Sequence, residues 1–230
     1  MDDMPVLMNP ILQVAAVAPS GRRVLRAGPL SAIFDAGDLR YIKLGEREVI
    51  RRIYAAVRDR NWGTVAAEIS ELKTQRAEDH FRITYTSTHR QGEIHFEWQA
   101  VIVGETDGSI HFTFDGEAKT TFLRNRIGFC VLHPIRECAG AKCHARYTNA
   151  TEKELAFPGT IAAEQPVNGL SDLAGLAHEI ALTRLQLLKL AHLRIDVRPS
   201  DAETSLRLTE QSSDAEVLGH KLELAVHLDD

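Results

Sequence analysis

The sequence predicts a mainly β protein, in which an antiparallel β-sandwich is followed by a partial α/β segment. From residue 29 to about residue 147, short stretches alternate apolar and polar side chains and are separated by Gly, Asp and Asn, a pattern typical of antiparallel strands with one wet face. After residue 162 the pattern changes to a helix that is followed by strand, helix and strand. We therefore expect an N-terminal extension (1–25), a sandwich domain (26–181) and a partial βαβ segment of an incomplete barrel (182–230).

The first strands are predicted on either side of a turn at residues 35–38, whose sequence is Asp-Ala-Gly-Asp. Gly and Asp favour the positive backbone angles of a tight hairpin turn. A second turn at residues 45–46 leads into an apolar segment at 49–57. The residues that we expect to flank the first turn within strands are Ala32, Phe34, Leu39, Tyr41 and Lys43.

Alternation is clearest between residues 80 and 120, where three successive segments have period two. This pattern predicts a meander of three antiparallel strands with one buried face, closed as a sandwich by a second sheet. The residues predicted to share the buried face are Phe81, Ile83, Tyr85, Ile94, Phe96, Trp98, Ala100, Ile110, Phe112 and Phe114.

The last third of the chain predicts two helices and two strands. Ser171 can cap a first helix, in which Leu173, Leu176, Ala177 and Ile180 recur at helical spacing and which continues toward Leu185 and Leu188. Segments 192–197 and 222–228 are short apolar strands, and residues 201–218 between them are typical of a helix. Such a strand–helix–strand unit requires parallel strands with a right-handed crossover. It would supply at most the first quarter of a barrel of about 200 residues or more, and its strands would lack neighbours.

Composition excludes several classes of function. Lys and Arg number 27 against 32 Asp and Glu, a formal charge of -5 without a long basic run, so we expect no nucleic-acid partner. No apolar stretch reaches the ~20 residues that span a bilayer, and the acidic start Met1–Asp3 does not suit a secretory signal. Three cysteines, Cys130, Cys138 and Cys143, suit reduced thiols. We predict a cytoplasmic protein without a membrane partner.

The chemistry-bearing motifs are incomplete, and we expect no metal and no cofactor. His178-Glu179 begins a metalloprotease helix motif, but Leu182 stands where the second His would be required. Cys138, Cys143 and His144 fall one ligand short of a closed zinc site. Neither a Gly-x-Ser-x-Gly elbow nor a phosphate-binding or dinucleotide-binding glycine motif is present in the sequence.

Several collinear motifs resemble those of the D-apionate lactonase family: residues 26–32, 39–42, 57–64 and 125–135, with shorter matches at 157–158 and 165–166. The resemblance implies an N-terminal β domain followed by a barrel, and hydrolysis of D-apionolactone to D-apionate in D-apiose catabolism. Since the barrel would stop after two strands and its loops carry the active site in such folds, the resemblance implies a truncated, inactive form whose catalytic residues remain unknown.

Four residues are candidates for binding a sugar lactone or sugar acid: Arg58, Trp62, Arg126 and His133. Arg can grip a carboxylate with two hydrogen bonds, and Trp can stack on a sugar face. The same residues can instead tie loops to the rim of a sandwich. Alternatives to the lactonase fragment are a non-catalytic carbohydrate-binding or interaction β module, and a sugar epimerase resembling mutarotases. Self-association through the unpaired barrel strands is also expected.

Overall fold

The computed structural model describes residues 21–147, 149–160, 173–181, 190–199 and 219–229; in the last three ranges it describes the backbone, with the side chains of residues 224–227. The described residues form antiparallel sheets with one four-residue helix. The elements are β1 (Arg23–Ala27), β2 (Leu30–Asp35), β3 (Asp38–Leu44), β4 (Arg47–Asp59), β5 (Ala67–Arg76), β6 (Phe81–Gln91), β7 (Ile94–Gly104), β8 (Ile110–Ala118), β9 (Arg124–Leu132), α1 (Ile135–Cys138), β10 (Lys142–Tyr147), β11 (Glu152–Ala156), β12 (Leu173–Ala181), β13 (Leu190–Pro199) and β14 (Gly219–Asp229).

These strands build a five-stranded sheet of order β1-β2-β3-β4-β9 and a nine-stranded sheet of order β11-β10-β12-β13-β14-β8-β7-β6-β5. The two sheets share one apolar core, to which both contribute. The Phe112 and Phe129 rings, one from each sheet, lie 4.9 Å apart, and Phe34 lies 5.9 Å from Tyr85. The prediction of a mainly β, antiparallel fold is confirmed.

The hairpin predicted at residues 35–38 is present, because Asp35 pairs with Asp38 across a two-residue turn. Ala36 and Gly37 both have positive φ, 49° and 88°, as the primed turns that suit twisted hairpins require. The Tyr85 hydroxyl, from the other sheet, donates to the Gly37 carbonyl oxygen across 2.8 Å. The turn is therefore held in place by both sheets.

The predicted meander is β6, β7 and β8, and every residue predicted for its buried face is buried. Tyr41, predicted as a regular strand residue of the first hairpin, has φ 51° and an exposed side chain, next to a register shift between Ile42 and Lys43. A bulge of this kind moves the following residue to the other face, so Ile42 is the residue that enters the core.

The helix predicted from Ser171 is wrong over residues 173–181, because these form β12, which pairs with β10 and β13. Its predicted continuation toward Leu188 lies outside the described residues. Apolar residues three and four apart do not distinguish a short helix from a buried strand. Partner strands pair with β12 along residues 173–177 on the β10 side and 175–181 on the β13 side, and such tertiary context overrides local propensity.

Strands at residues 192–197 and 222–228 are confirmed within β13 and β14, but their parallel βαβ arrangement is wrong. β13 and β14 are adjacent and antiparallel, with Asp196 opposite Ala225, and an antiparallel pair needs no crossover helix. The predicted helix at 201–218 lies outside the described residues. The structure therefore does not show the partial α/β segment.

β14 also pairs with β8, and β13 with β12, so both strands have neighbours on each side. The unpaired edges from which self-association was expected are absent at these strands, and self-association itself stays a prediction. The sheet includes strands from both sides of residue 181, and the domain bounds also stay a prediction. No helix in the described ranges is long and apolar enough to cross a membrane.

Candidate functional site

Three of the four candidate residues meet at one end of the five-stranded sheet. Arg58 lies one residue before the end of β4, Trp62 lies in the loop that follows, and Arg126 lies near the start of β9, the antiparallel neighbour of β4. His133 follows the far end of β9. At about 3.3 Å per residue, the seven positions between Arg126 and His133 span roughly 23 Å, so His133 is not part of this cluster.

The loop after β4 is shaped by the side chain of Asp59. Its Oδ1 atom accepts the backbone N–H groups of Asn61 and Gly63, each across 2.8 Å. The Asp59 N–H donates to the Gly63 carbonyl oxygen across 2.9 Å, and Trp62 takes a positive φ of 69°. This self-bonded Asp turn leaves the Trp62 side chain 48% exposed. The Asp59 carboxylate thus fixes the loop conformation in which the Trp62 indole ring is exposed.

Two guanidinium groups flank the indole. Arg58 Nη1 donates to Thr64 Oγ1 across 2.6 Å and to the Trp62 carbonyl oxygen across 3.4 Å. The guanidinium carbon of exposed Arg126 lies 5.3 Å from the centre of the Trp62 ring, within the range of a cation–π interaction. Arg58 is therefore engaged with the loop, while Arg126 keeps its donors available beside an aromatic face.

A third guanidinium, Arg124, was not singled out from the sequence. Burial lowers its pKa, its Nη1 donates to the Asn125 carbonyl oxygen across 3.1 Å, and its buried Nε has no hydrogen-bond partner among the described residues. Because alternate strand residues point to the same side, the Arg124–Arg126 spacing was the signal that could have identified it.

Arg58, Trp62, Arg124 and Arg126 form what we call the arginine–tryptophan cluster, and its chemistry is that of binding. Guanidinium groups suit a carboxylate, and an exposed indole suits the apolar face of a sugar. Opening a lactone also requires proton transfer to or from the reacting atoms. The nearby Asp59 carboxylate accepts backbone N–H groups at Oδ1 and the Gln91 side-chain amide at Oδ2, and the four cluster side chains are arginine and tryptophan, which are not general acids or bases near neutral pH.

His133 has a different environment. Its ring lies 4.9 Å from the ring of Phe157, and Phe157 itself exchanges backbone hydrogen bonds with Gly140 and Ala141, at 3.1 and 2.9 Å. This packing joins the segment after β9 to the end of β11. The reading in which the polar candidates tie loops to the rim of the domain therefore fits His133.

A serine–histidine contact lies on the nine-stranded sheet, between residues 118 positions apart. Ser109 Oγ is 3.2 Å from His227 Nδ1, and Asp107 Oδ1 accepts the Ser109 backbone N–H across 2.8 Å. In a catalytic triad the carboxylate orients the histidine, whereas here Asp107 binds the serine, which is only 8% exposed. The contact therefore connects β14 to the turn before β8.

The cysteine pair suspected of metal binding is buried. Burial raises the pKa of Cys138 to about 11, and that of Cys143 is raised for the same reason. Zinc binds the thiolate form, which these surroundings disfavour, and the exposed His144 lies 3.8 Å from Glu154 instead. Within the described ranges, no group of three or more His, Cys, Asp or Glu side chains could hold a metal ion.

The described residues define a mainly β domain of antiparallel sheets, with an arginine–tryptophan cluster at one end of the smaller sheet. Residues 12–188 match the family model described as D-apionate lactonase, N-terminal domain, and the chain belongs to this family. It is also 31% identical over 156 residues to the D-apionate lactonase of Brucella anthropi, a match that covers 67% of this chain and 25% of that protein. The matched part thus spans about a quarter of the relative's length.

Proposed function

We propose that this chain is the N-terminal β domain of a cytoplasmic D-apionate lactonase system, which hydrolyses D-apionolactone to D-apionate in D-apiose catabolism, and that the chain alone is inactive. The observation that carries this proposal is the combination of a family match over residues 12–188 with coverage of only 25% of the relative. The remaining three quarters of such a relative is where we place the catalytic groups.

The chemistry of the cluster supports the inactive state. Hydrolysis of a lactone needs an activated nucleophile, donors for the developing oxyanion and an acid for the leaving alkoxide. The arginine–tryptophan cluster supplies donors, but its neighbouring carboxylate, Asp59, is held by the N–H groups of Asn61 and Gly63. Proton transfer contributes a factor of about 100 to 10,000, which the chain alone would forgo.

The test is a pH-stat titration of D-apionolactone with the purified chain, run beside the Brucella anthropi lactonase. We expect acid release no faster than in buffer. Turnover within about tenfold of the relative, abolished by Arg126→Ala or His133→Ala, would contradict the proposal and place the catalytic site in the β domain.

A second candidate function, binding of a sugar acid without catalysis, is favoured by the exposed Trp62 ring beneath the Arg126 guanidinium. Titration of the chain with D-apionate, followed by calorimetry, tests it. Arg126→Ala should weaken binding by about tenfold, the equivalent of one charge-assisted hydrogen bond. The matched control is Arg82→Ala, an exposed arginine on β6 of the other sheet, which should bind like the wild type.

A further inference from the structure

Exposed large hydrophobic side chains are concentrated on one side of the described structure. They all belong to the five-stranded sheet, to the loop after β4 or to α1 after β9. In the described ranges they are Val24 (67% exposed), Tyr41 (36%), Trp62 (48%), Leu132 (43%) and Ile135 (45%). Scattered exposed apolar residues are ordinary, but a grouping on one side of a domain marks a contact surface.

Arginine and aromatic side chains share the outer face of this sheet with them. On β4, Ile53 and Val57 point into the core, so Arg52 and Tyr54 alternate outward, opposite Leu132 and Cys130 of β9. The Arg52 guanidinium carbon lies 4.0 Å from the centre of the Tyr54 ring. With Trp62 and Arg126 at the end of the same two strands, these residues define what we call the arginine–aromatic face: Arg52, Tyr54, Trp62, Arg126 and Leu132.

The outer face of β6, β7 and β8 in the nine-stranded sheet has a different composition. Its strands β6, β7 and β8 alternate a fully apolar inner row with an outer row that is mainly polar. The polar members of that outer row include Thr84, Thr86, Thr88, Gln99, Thr113, Asp115 and Glu117. Tyr, Trp and Arg are enriched in protein interfaces and form most binding hot spots, whereas Glu, Asp and Ser are depleted there. The outer row of β6 to β8 does include Arg82 and Arg90, but the exposed Trp, Tyr and Leu side chains among the described residues belong to the five-stranded sheet and the loop after β4.

Charge indicates what would cover this face. Arg40, Arg52, Arg58 and Arg126 lie along it, and Asp38 pairs with the first two, at 3.0 and 2.8 Å. The chain as a whole has a formal charge of -5, so the basic character is local to this face. A complementary surface would have an apolar centre for Leu132 and Trp62 and carboxylates for the arginines at its edge.

We propose that the arginine–aromatic face docks onto the rest of a D-apionate lactonase, meaning the portion that lies beyond the region matched by this chain. This inference rests on the proposed function. We choose that partner because the match covers 25% of the relative. The unmatched part of the relative is therefore about three times as long as the matched part, and it is the part that this domain would contact. In this arrangement the face is a permanent contact, and the mainly polar outer face of β6 to β8 stays in solvent.

The test is co-expression of the tagged full-length chain with the unmatched three quarters of the Brucella anthropi lactonase. We expect the two polypeptides to purify together in equimolar amounts. Leu132→Asp and Arg126→Glu should each weaken the complex by about tenfold or more, measured by calorimetry. The first substitution buries a carboxylate against the apolar centre of the partner, and the second places a carboxylate opposite a carboxylate of the partner. The matched controls, Gln99→Asp and Arg82→Glu, make the same charge changes at exposed positions of the other sheet and should bind like the wild type.

Melting curves of the chain variants alone confirm that each is folded. Failure to co-purify, or equal weakening by the variants and their controls, would overturn the docking proposal, as would a dimer of this chain that Leu132→Asp dissociates while the partner stays unbound. The lactonase assay on the purified complex is read separately. A complex that forms through this face but does not hydrolyse D-apionolactone would contradict the proposed function and leave the docking surface supported.

Discussion

Trp98 donates its indole N–H to Nε2 of His89 across 3.0 Å, in the core between the two sheets. Nδ1 of the same ring lies 3.1 Å from the Val65 carbonyl oxygen, which can only accept, so Nδ1 carries the proton and Nε2 is the acceptor. If the His89 ring were protonated, its Nε2 would also carry a hydrogen, and two N–H donors would face each other with no acceptor between them. The pair therefore requires a neutral histidine.

Stability should consequently depend on pH through His89. Burial lowers its pKa from the ordinary value of 6.5, so below pH 6.5 the unfolded chain binds a proton that the folded chain does not. The free energy of unfolding should fall as the pH is lowered from 6.5 toward the folded-state pKa, with a limiting slope of about 1.4 kcal/mol per pH unit from this residue.

Urea denaturation at pH values from 7.5 to 5, the range set by the ordinary histidine pKa, measures this slope. His89→Gln should unfold at lower urea at neutral pH but lose part of the pH dependence, because a glutamine does not titrate. His80→Gln, an exposed histidine beside Asp79, serves as the control and should keep the wild-type slope. An unchanged slope in His89→Gln would refute the assignment.

The turn between β1 and β2 should tolerate no side chain at Gly28. Its φ is 50°, and a Cβ atom there would overlap the Thr106 carbonyl oxygen of the turn between β7 and β8. Gly28→Ala should lower the free energy of unfolding by about 2–4 kcal/mol, since it adds a backbone clash to the cost of positive φ.

Gly45→Ala is the matched control for that substitution. Gly45 also has positive φ, 60°, but a Cβ atom would meet nothing within 4 Å, so the expected loss is about 1–2 kcal/mol from the backbone conformation alone. Thermal or urea unfolding of both variants separates the cost of the clash with Thr106 from the cost of the positive φ. Equal losses would show that Gly28 is required only for its φ.

The three cysteines should react with a thiol reagent at different rates. Cys130 is partly exposed on β9, whereas Cys138 and Cys143 are buried and burial raises the pKa of both. Because the thiolate is the reacting form, Ellman's reagent should label one thiol quickly and the other two only on unfolding. Cys130→Ser should remove the fast phase, and its persistence in that variant would disprove this order.

Chelation should leave the melting temperature unchanged. A structural metal contributes directly to folding, and the described residues bring no set of three ligands together. Calorimetry with and without EDTA is the measurement, with Cys143→Ala as the comparison. A downward shift with EDTA that this variant abolishes would revive a site at Cys138, Cys143 and His144.

Sequence alternation predicted the meander because each of its strands has one core face, so burial is already encoded in the period of two. The turn at residues 35–38 was predictable for a similar local reason, since Ala36 and Gly37 supply the positive φ of the hairpin. The tail was not predictable in this way. Whether residues 173–181 form a helix or a strand depends on β10 and β13, which are neighbours in space.

For the candidate site, too, the sequence identified individual residues, whereas the structure showed which of them lie together. Arg58, Trp62 and Arg126 stand in motifs of charged and aromatic residues that the sequence shows, but their grouping needed the antiparallel pairing of β4 with β9. That same pairing separates His133 from them. The Ser109–His227 contact joins positions 118 residues apart and left no local pattern to find.

The sequence by itself determined the β class of this protein, the buried face of β6 to β8 and the identity of its polar candidates, because side-chain alternation and turn chemistry are local properties. Only the tertiary structure decided the antiparallel pairing of β13 with β14 and the exposure of Leu132 on β9 and of Trp62 in the loop after β4. The backbone N–H and C=O groups of a strand can form hydrogen bonds with any strand that lies beside it, so the packing of the whole domain decides which strands pair.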